Sequence, residues 1–338
     1  MARTLRVEYD GAFYHIRVKG YLKRPIFRDA EDYQYFLNAL GEACSMTGWR
    51  VHAWVLLPDH YHLFIEAPFA NLVAGMQWLQ NAFTRRFAVR YLNEGKLFAD
   101  RYKAIPVEGR DAFFYRTLSD YLHLNPVRAG LINPATGQSI ADFRWSSVAG
   151  GFLLPPDTRP VGFVGEVGMR NLGFADDVEG REEWIRGLDE RARTEPRERC
   201  GVPPVEPEGD RRRSTIRRGW FWGSSMFSEK LQRIGEWASK AHRNLGSASV
   251  RKSGTHGENR ALRILEQGLE EAGLTQENLA QLRGSDPRKV RIAVRIKRET
   301  IVSTQWIATN LRMKSAANAS HQIRQYKRAV ACNAAQEV

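Results

Sequence analysis

The sequence predicts an α+β protein: a ferredoxin-like antiparallel sheet at the N-terminal end, then a mostly α-helical region closing in a helix-turn-helix. Three observations carry this. The hydrophobic pattern up to about residue 125 runs strand, helix, two strands, helix, strand, helix. After Trp145 the texture changes, with Gly150-Gly151 and Pro155-Pro156 as punctuation. Beyond that point the periodic stretches are helical.

Phe13 to Val18 alternates as a first strand that ends at Gly20. Asp29 is placed to cap a helix from about Ala30 to Ser45, with Tyr33, Phe36, Leu37 and Leu40 on its apolar face. Trp54 to Leu57 and His60 to Glu66 read as two short buried strands joined by a Pro58-Asp59 turn, since both residues favour that geometry. A long helix from about Leu72 to Leu92 repeats Leu72, Met76, Leu79, Phe83 and Phe87 as a core stripe and leaves Arg85, Arg86 and Arg90 off it. Arg101 to Val107 is a fourth strand. Asp111 to Asn125 is a helix stopped by Pro126, because the residue before proline disfavours the helical region.

Composition narrows the function classes. The 338 residues are 43% hydrophobic with no apolar run that could span a bilayer, and the N-terminus has no apolar signal core. Three scattered cysteines, Cys44, Cys200 and Cys332, argue against a disulfide framework or a thiolate zinc site. The expected location is the cytoplasm, at the nucleoid. A net charge of +13 calls for a polyanionic partner, and nucleic acid fits better than a membrane surface because no strongly amphipathic basic helix stands out.

The chemistry-bearing residues fall in two stretches. His60 and His62 are two apart on a strand, so both point to one face, about 7 Å apart, and can share a divalent metal. Two half-buried strand histidines are the plain alternative. Tyr121 and Asn125 stand at i and i+4 on a helix and share a face, offering a phenol and an amide oxygen. A phenol is a poor nucleophile at a pKa near 10 and needs a metal-polarised electrophile or a base, so each stretch supplies what the other lacks. His15, His52 and His123 read as structural, and Tyr102 as packing between Arg101 and Lys103. Arg101, Lys103 and Arg128 are candidate phosphate contacts.

His60-Tyr61-His62 resembles the His-hydrophobe-His motif of the HUH single-strand nucleases. Tyr121 to Leu131, YLHLNPVRAGL, resembles the tyrosine helix and exit loop of the REP-associated tyrosine transposases, relatives of the one-tyrosine transposases of insertion sequences. The resemblance covers about the first 145 residues and implies the HUH nuclease fold. It implies Mg²⁺ or Mn²⁺ held by His60, His62 and Asn125, with Tyr121 attacking to leave a 5′-phosphotyrosine. It also implies single-stranded palindromic hairpins as substrate and a homodimer.

The expected domains are 1–147 for this core, 148–224 for a helical segment and basic linker, and 225–338 for a helical DNA-binding region. Arg181 to Arg193 and Phe227 to Leu245 read as helices; Arg211-Arg212-Arg213 and Arg217-Arg218 form a basic run. Asp286 caps a helix opening on Pro287, Ser303 caps a short helix to Leu311, and Ser315 caps a third to about Val330. With Ala316, Ala319, Ile323 and Tyr326 inward, Lys314, Asn318, His321, Arg324 and Gln325 lie outward as candidate base and phosphate contacts in a helix-turn-helix at about 303–330. A DNA-binding regulator with an inert nuclease core is the alternative to the enzyme. A metal hydrolase using water is weaker, since it would not need Tyr121.

Overall fold

The structure, a computed structural model, describes residues 7–92, 95–99, 101–194, 221–245 and 256–336. Its sheet is built from β1 (Ala12–Lys19), β2 (Arg50–Leu57), β3 (His60–Ala67) and β4 (Lys103–Val107) in the order β2-β3-β1-β4, every pair antiparallel. Helix α1 (Ala30–Thr47) starts at Asp29, whose carboxylate accepts from the Glu31 and Asp32 amides. The Tyr61 face of the sheet packs on α1 and α2 (Leu72–Arg90) through an aromatic cluster in which Tyr61 meets Phe36 at 4.5 Å and Phe27 meets Phe83 at 5.4 Å between ring centroids. The opposite face receives α3 (Ala112–His123), capped by Asp111. Its Tyr115 and Leu118 join Phe64, Val55 and Ala53 in one core.

The β2–β3 turn is pinned from outside. Gly20 donates to the Asp59 carbonyl at 2.7 Å and Ile26 to the Pro58 carbonyl at 2.7 Å. A Cβ on Gly20 would stand 2.2 Å from the Arg24 carbonyl oxygen, so only glycine lets β1 end against the turn that sets His60.

The chain leaves α3 differently from the sequence expectation. Leu124 keeps right-handed helical angles, and Asn125 to Arg128 form a further turn, α4 (Asn125–Arg128), with Pro126 in its first turn. Proline has no amide to leave unpaired there, so it starts a turn rather than forcing an extended exit.

The expected boundary at 147/148 falls inside a continuous core. Ser147 donates its amide to the Trp54 carbonyl and Leu56 donates to the Trp145 carbonyl, so residues 145–147 line the open edge of β2, and Phe163 bridges Val51. Edge strands carry unpaired amides and carbonyls that need cover, and this stretch supplies it. Ile140, Val148, Phe152, Met169 and Leu172 join the same core, the last two from α5 (Gly165–Leu172), a helix the sequence reading did not place. Trp184 and Leu188 follow from α6 (Val178–Thr194), which matches the expected helix. The Arg211–Arg213 and Arg217–Arg218 run lies outside the described residues. Helix α7 (Ser225–Leu245) stands where a helix was expected. No described helix is long and apolar enough to cross a membrane.

Chain packing divides the protein into two units, 1–72 with 79–250 and 73–78 with 251–338. The second is helical: α8 (His256–Glu271), α9 (Asn278–Gln281), α10 (Pro287–Glu299), α11 (Thr304–Asn310) and α12 (Ala316–Gln336). Leu265, Ile292, Ile296, Ile307, Leu311, Ala319 and Ile323 share its core, so α8, a helix not placed from sequence, packs with the helix-turn-helix elements. Asp286, Ser303 and Ser315 cap as expected, each accepting a backbone amide. Lys289 is fully buried. Its ammonium donates to the carbonyls of Leu279 at 2.6 Å, Leu282 at 3.0 Å and Arg312 at 3.3 Å, tying α10 to the turn before α12. Lys289→Met keeps the aliphatic stem and strands those carbonyls. The expected cost is about 2–4 kcal/mol, read as a lowered urea midpoint, and an unchanged midpoint would show that the latch contributes nothing.

Candidate active site on the sheet face

β-strand alternation puts His60, His62, Phe64 and Glu66 on one face of β3, and the register places Lys19 opposite His60 and Arg17 opposite His62. Arg17 in turn pairs with Lys103 on β4. The α3–α4 segment lays Tyr121 over this face, its ring centroid 5.9 Å from His62 and 5.8 Å from His15. The structure thus brings together the two stretches that carry the chemistry.

The histidine pair is set up to offer one nitrogen each. His60 Nδ1 lies 2.6 Å from Asp59 Oδ1, and this bond holds the Asp59 carboxyl below its usual range. His62 Nδ1 lies 2.7 Å from His15 Nε2. Nε2 of each ring remains, and the two rings meet edge to face at 5.2 Å. His62 is driven well below the ordinary histidine pKa by burial first, then by His15, His60, Arg17 and Arg128, so it stays neutral as a metal ligand must. Asn125 donates its amide to the Tyr121 carbonyl at 2.8 Å and the Leu122 carbonyl at 3.2 Å, which leaves Oδ1 as its acceptor. Two imidazole nitrogens and an amide oxygen suit a divalent ion, manganese more readily than magnesium. Among the described residues no cluster of three or more His, Cys, Asp or Glu could hold a metal, so any site here needs the amide, water or substrate to complete it.

Tyr121 is half-buried between a cation and an indole. The Arg128 guanidinium stacks 4.6 Å from its ring centroid and donates to its carbonyl at 2.8 Å. Arg128 itself is buried, so it braces the tyrosine rather than standing out as a free phosphate contact. On the other side stands Trp222, 5.9 Å from Tyr121 and 5.3 Å from His15. It arrives by a parallel bridge to Val107, with its amide donating to the Pro106 carbonyl.

Three site residues were missed from sequence. Trp222 falls in a stretch read as linker, far along the chain. Arg17, whose Nε is buried without a hydrogen-bond partner, is indistinguishable in sequence from any strand arginine. His15 was read as structural but lies against His62; the same-face alternation of His15 and Arg17 on β1 was the available signal. His123 and His52 are structural as expected: His123 Nε2 contacts the Ser147 hydroxyl at 2.7 Å and His52 Nδ1 the Tyr115 hydroxyl at 3.0 Å. Tyr102 is buried, Lys103 opens β4 exposed on the histidine face, and Arg101 is exposed just before that strand.

In the second unit Lys314, His321, Arg324 and Gln325 are exposed around α12. Asn318 differs from expectation. Its Oδ1 is buried without a hydrogen-bond partner, 2.8 Å from where a Cβ on Gly284 would stand, so it packs on the Gly284 loop instead of facing out.

Buried neutral histidines make stability depend on pH. Burial, with Arg17 and Lys103 beside it, lowers His15 to about 3; burial alone lowers His123 to about 3; His62 and His52 are also lowered. Below about pH 6.5 the unfolded chain takes up protons that the folded chain refuses. Their contribution is complete above that pH, is lost as pH falls, and levels off near the folded values. We expect roughly 1 kcal/mol per pH unit from each of His15 and His123 between pH 6.5 and 4, with His62 and His52 acting in the same direction, measured by urea unfolding. A midpoint flat from pH 7 to 5 would refute it.

Residues 9–124 match the family described as transposase IS200-like, which makes that part of the chain transposase-like. A solved structure of a REP-associated tyrosine transposase bound to a REP hairpin is similar over 49% of this chain and 93% of that one, at 20% identity with a TM-score of 0.37. No curated protein matches the chain.

Proposed function

We propose that this chain, matching the IS200-like transposases over residues 9–124, cleaves and rejoins single-stranded DNA with Tyr121 as nucleophile. The observation that carries the reading is the placement of the Tyr121 phenol over the His60–His62 face, with both Nδ1 atoms engaged and Arg128 bracing the ring. His60, His62 and Asn125 would hold one Mg²⁺ or Mn²⁺. Such an ion polarises a phosphoryl oxygen and orients the phosphate for in-line attack.

Tyr121 Oη attacks phosphorus and loses its proton to water. The bond to the 3′ oxygen breaks, leaving a 5′-phosphotyrosine and a 3′-hydroxyl once that oxygen is protonated. The ester bond energy stays in the adduct, so a second 3′-hydroxyl can attack phosphorus, release the phenol and rejoin the strand. Arg17, Lys19 and Lys103 carry positive charge on the same face and would hold flanking phosphates without reading bases. Palindromic hairpins as substrate and a homodimer follow from the sequence resemblance. The test is a denaturing gel of the protein incubated with a labelled hairpin oligonucleotide and Mn²⁺. A covalent adduct on the 5′ side of the cut supports the reading, and cleavage without an adduct favours attack by water.

The exposed side of α12 would dock a duplex stem or an adjacent site. Replacing Lys314 and Arg324 together with Gln should flatten the slope of log K against log salt by roughly 0.7–0.9 for each lost phosphate contact. An unchanged slope would assign α12 to packing alone.

A further inference from the structure

We propose that His15 is a positioning residue for His62, and that the two rings exchange tautomers when a divalent ion binds; the inference rests on the metal-site reading above. The β1–β3 register sets His15 opposite Phe64, one same-face position along from His62, and the rings stack at 5.0 Å with 11° between their planes. His15 Nε2 and His62 Nδ1 are 2.7 Å apart, a distance with room for one shared proton. The tautomers are therefore coupled.

For His62 to bind an ion through Nε2, its own proton must sit on Nδ1 and be donated to His15 Nε2. His15 then carries its proton on Nδ1, a buried atom with no hydrogen-bond partner. A buried N–H without an acceptor costs more than a buried lone pair without a donor. Without an ion the pair consequently prefers the reverse arrangement: His15 Nε2 donates to His62 Nδ1, and His62 is protonated on the nitrogen the ion needs. On binding, the shared proton moves from His15 to His62, one proton leaves His62 Nε2 to water, and one from water reaches His15 Nδ1. The proton count of the pair does not change. Asp59 plays the corresponding part for His60 without any such conflict, because a carboxylate only accepts.

The test is long-range ¹H–¹⁵N correlation of the histidine rings in the full chain, without ion and saturated with Mg²⁺. The expected result is His62 protonated on Nε2 without ion and on Nδ1 with it, His15 showing the opposite change. One tautomer of His62 in both states would overturn the proposal. In parallel, His15→Phe should weaken Mn²⁺ binding by about 10- to 100-fold in calorimetry. Parent-like affinity in His15→Phe, with binding lost in His62→Ala, would overturn the role of His15 alone. Parent-like affinity in His62→Ala would instead remove the metal-site reading beneath it. The spectra of the parent decide the matter even if His15→Phe fails to fold.

Discussion

Tyr121→Phe should leave hairpin binding and the urea midpoint near those of the parent while lowering cleavage by about 10⁴-fold or more, with no covalent adduct. The ring contributes by its faces, stacked on Arg128 and edge-on to Trp222, His15 and His62, and phenylalanine keeps those contacts. Only Oη is removed, so binding and chemistry separate cleanly. Tyr102 is no substitute, since it is buried and one position before Lys103 it points to the other side of the sheet. Cleavage at parental rate in Tyr121→Phe would move the chemistry to a water nucleophile.

The second large effect comes from the histidines. His62→Ala should abolish Mn²⁺ binding and reduce cleavage by about 10³-fold, as EDTA should in the parent. It should also destabilise by roughly 2–3 kcal/mol, since a buried ring is lost and His15 Nε2 loses its partner. His60→Ala provides the contrast. That ring sits on the first residue of β3, beside the turn, with a fifth of its side chain exposed, so it should lose the ion and the activity at little cost in stability. Full-rate cleavage in EDTA, or by either variant, would sink the metal assignment.

The two-residue period of β3 put His60 and His62 on one strand face and the helical pattern after Asp111 carried Tyr121, because those relations are local, whereas Asn125 lies past the end of α3, in the separate turn α4. The caps at Asp29, Asp286, Ser303 and Ser315 were legible for the same reason. What the sequence could not show depends on contacts between distant segments. That 145–147 line the β2 edge, that Trp222 closes the β4 edge, and that α8 completes the helical unit are all decided by which surface lacks cover. The glycines and prolines at 150–156 looked like a boundary, yet they mark turns within one core. Asn318 failed for a subtler reason. Helical phase put it outside, but Gly284 leaves a hollow that draws its amide in.

Sheet closure at the β4 edge waits for Trp222. The β2–β3 hairpin, joined by Pro58 and Asp59, can zip early; β1 must then find β4 across α1, the hairpin and α2, and Trp222 arrives last of all. During synthesis, the histidines and Tyr121 therefore emerge well before the indole that walls them in. The same order should run backwards in the folded protein. The amides of Trp222 and Glu108, bonded to the Pro106 and Trp222 carbonyls, are the pair whose hydrogen exchange should report this wall opening while the β1–β3 ladder stays protected.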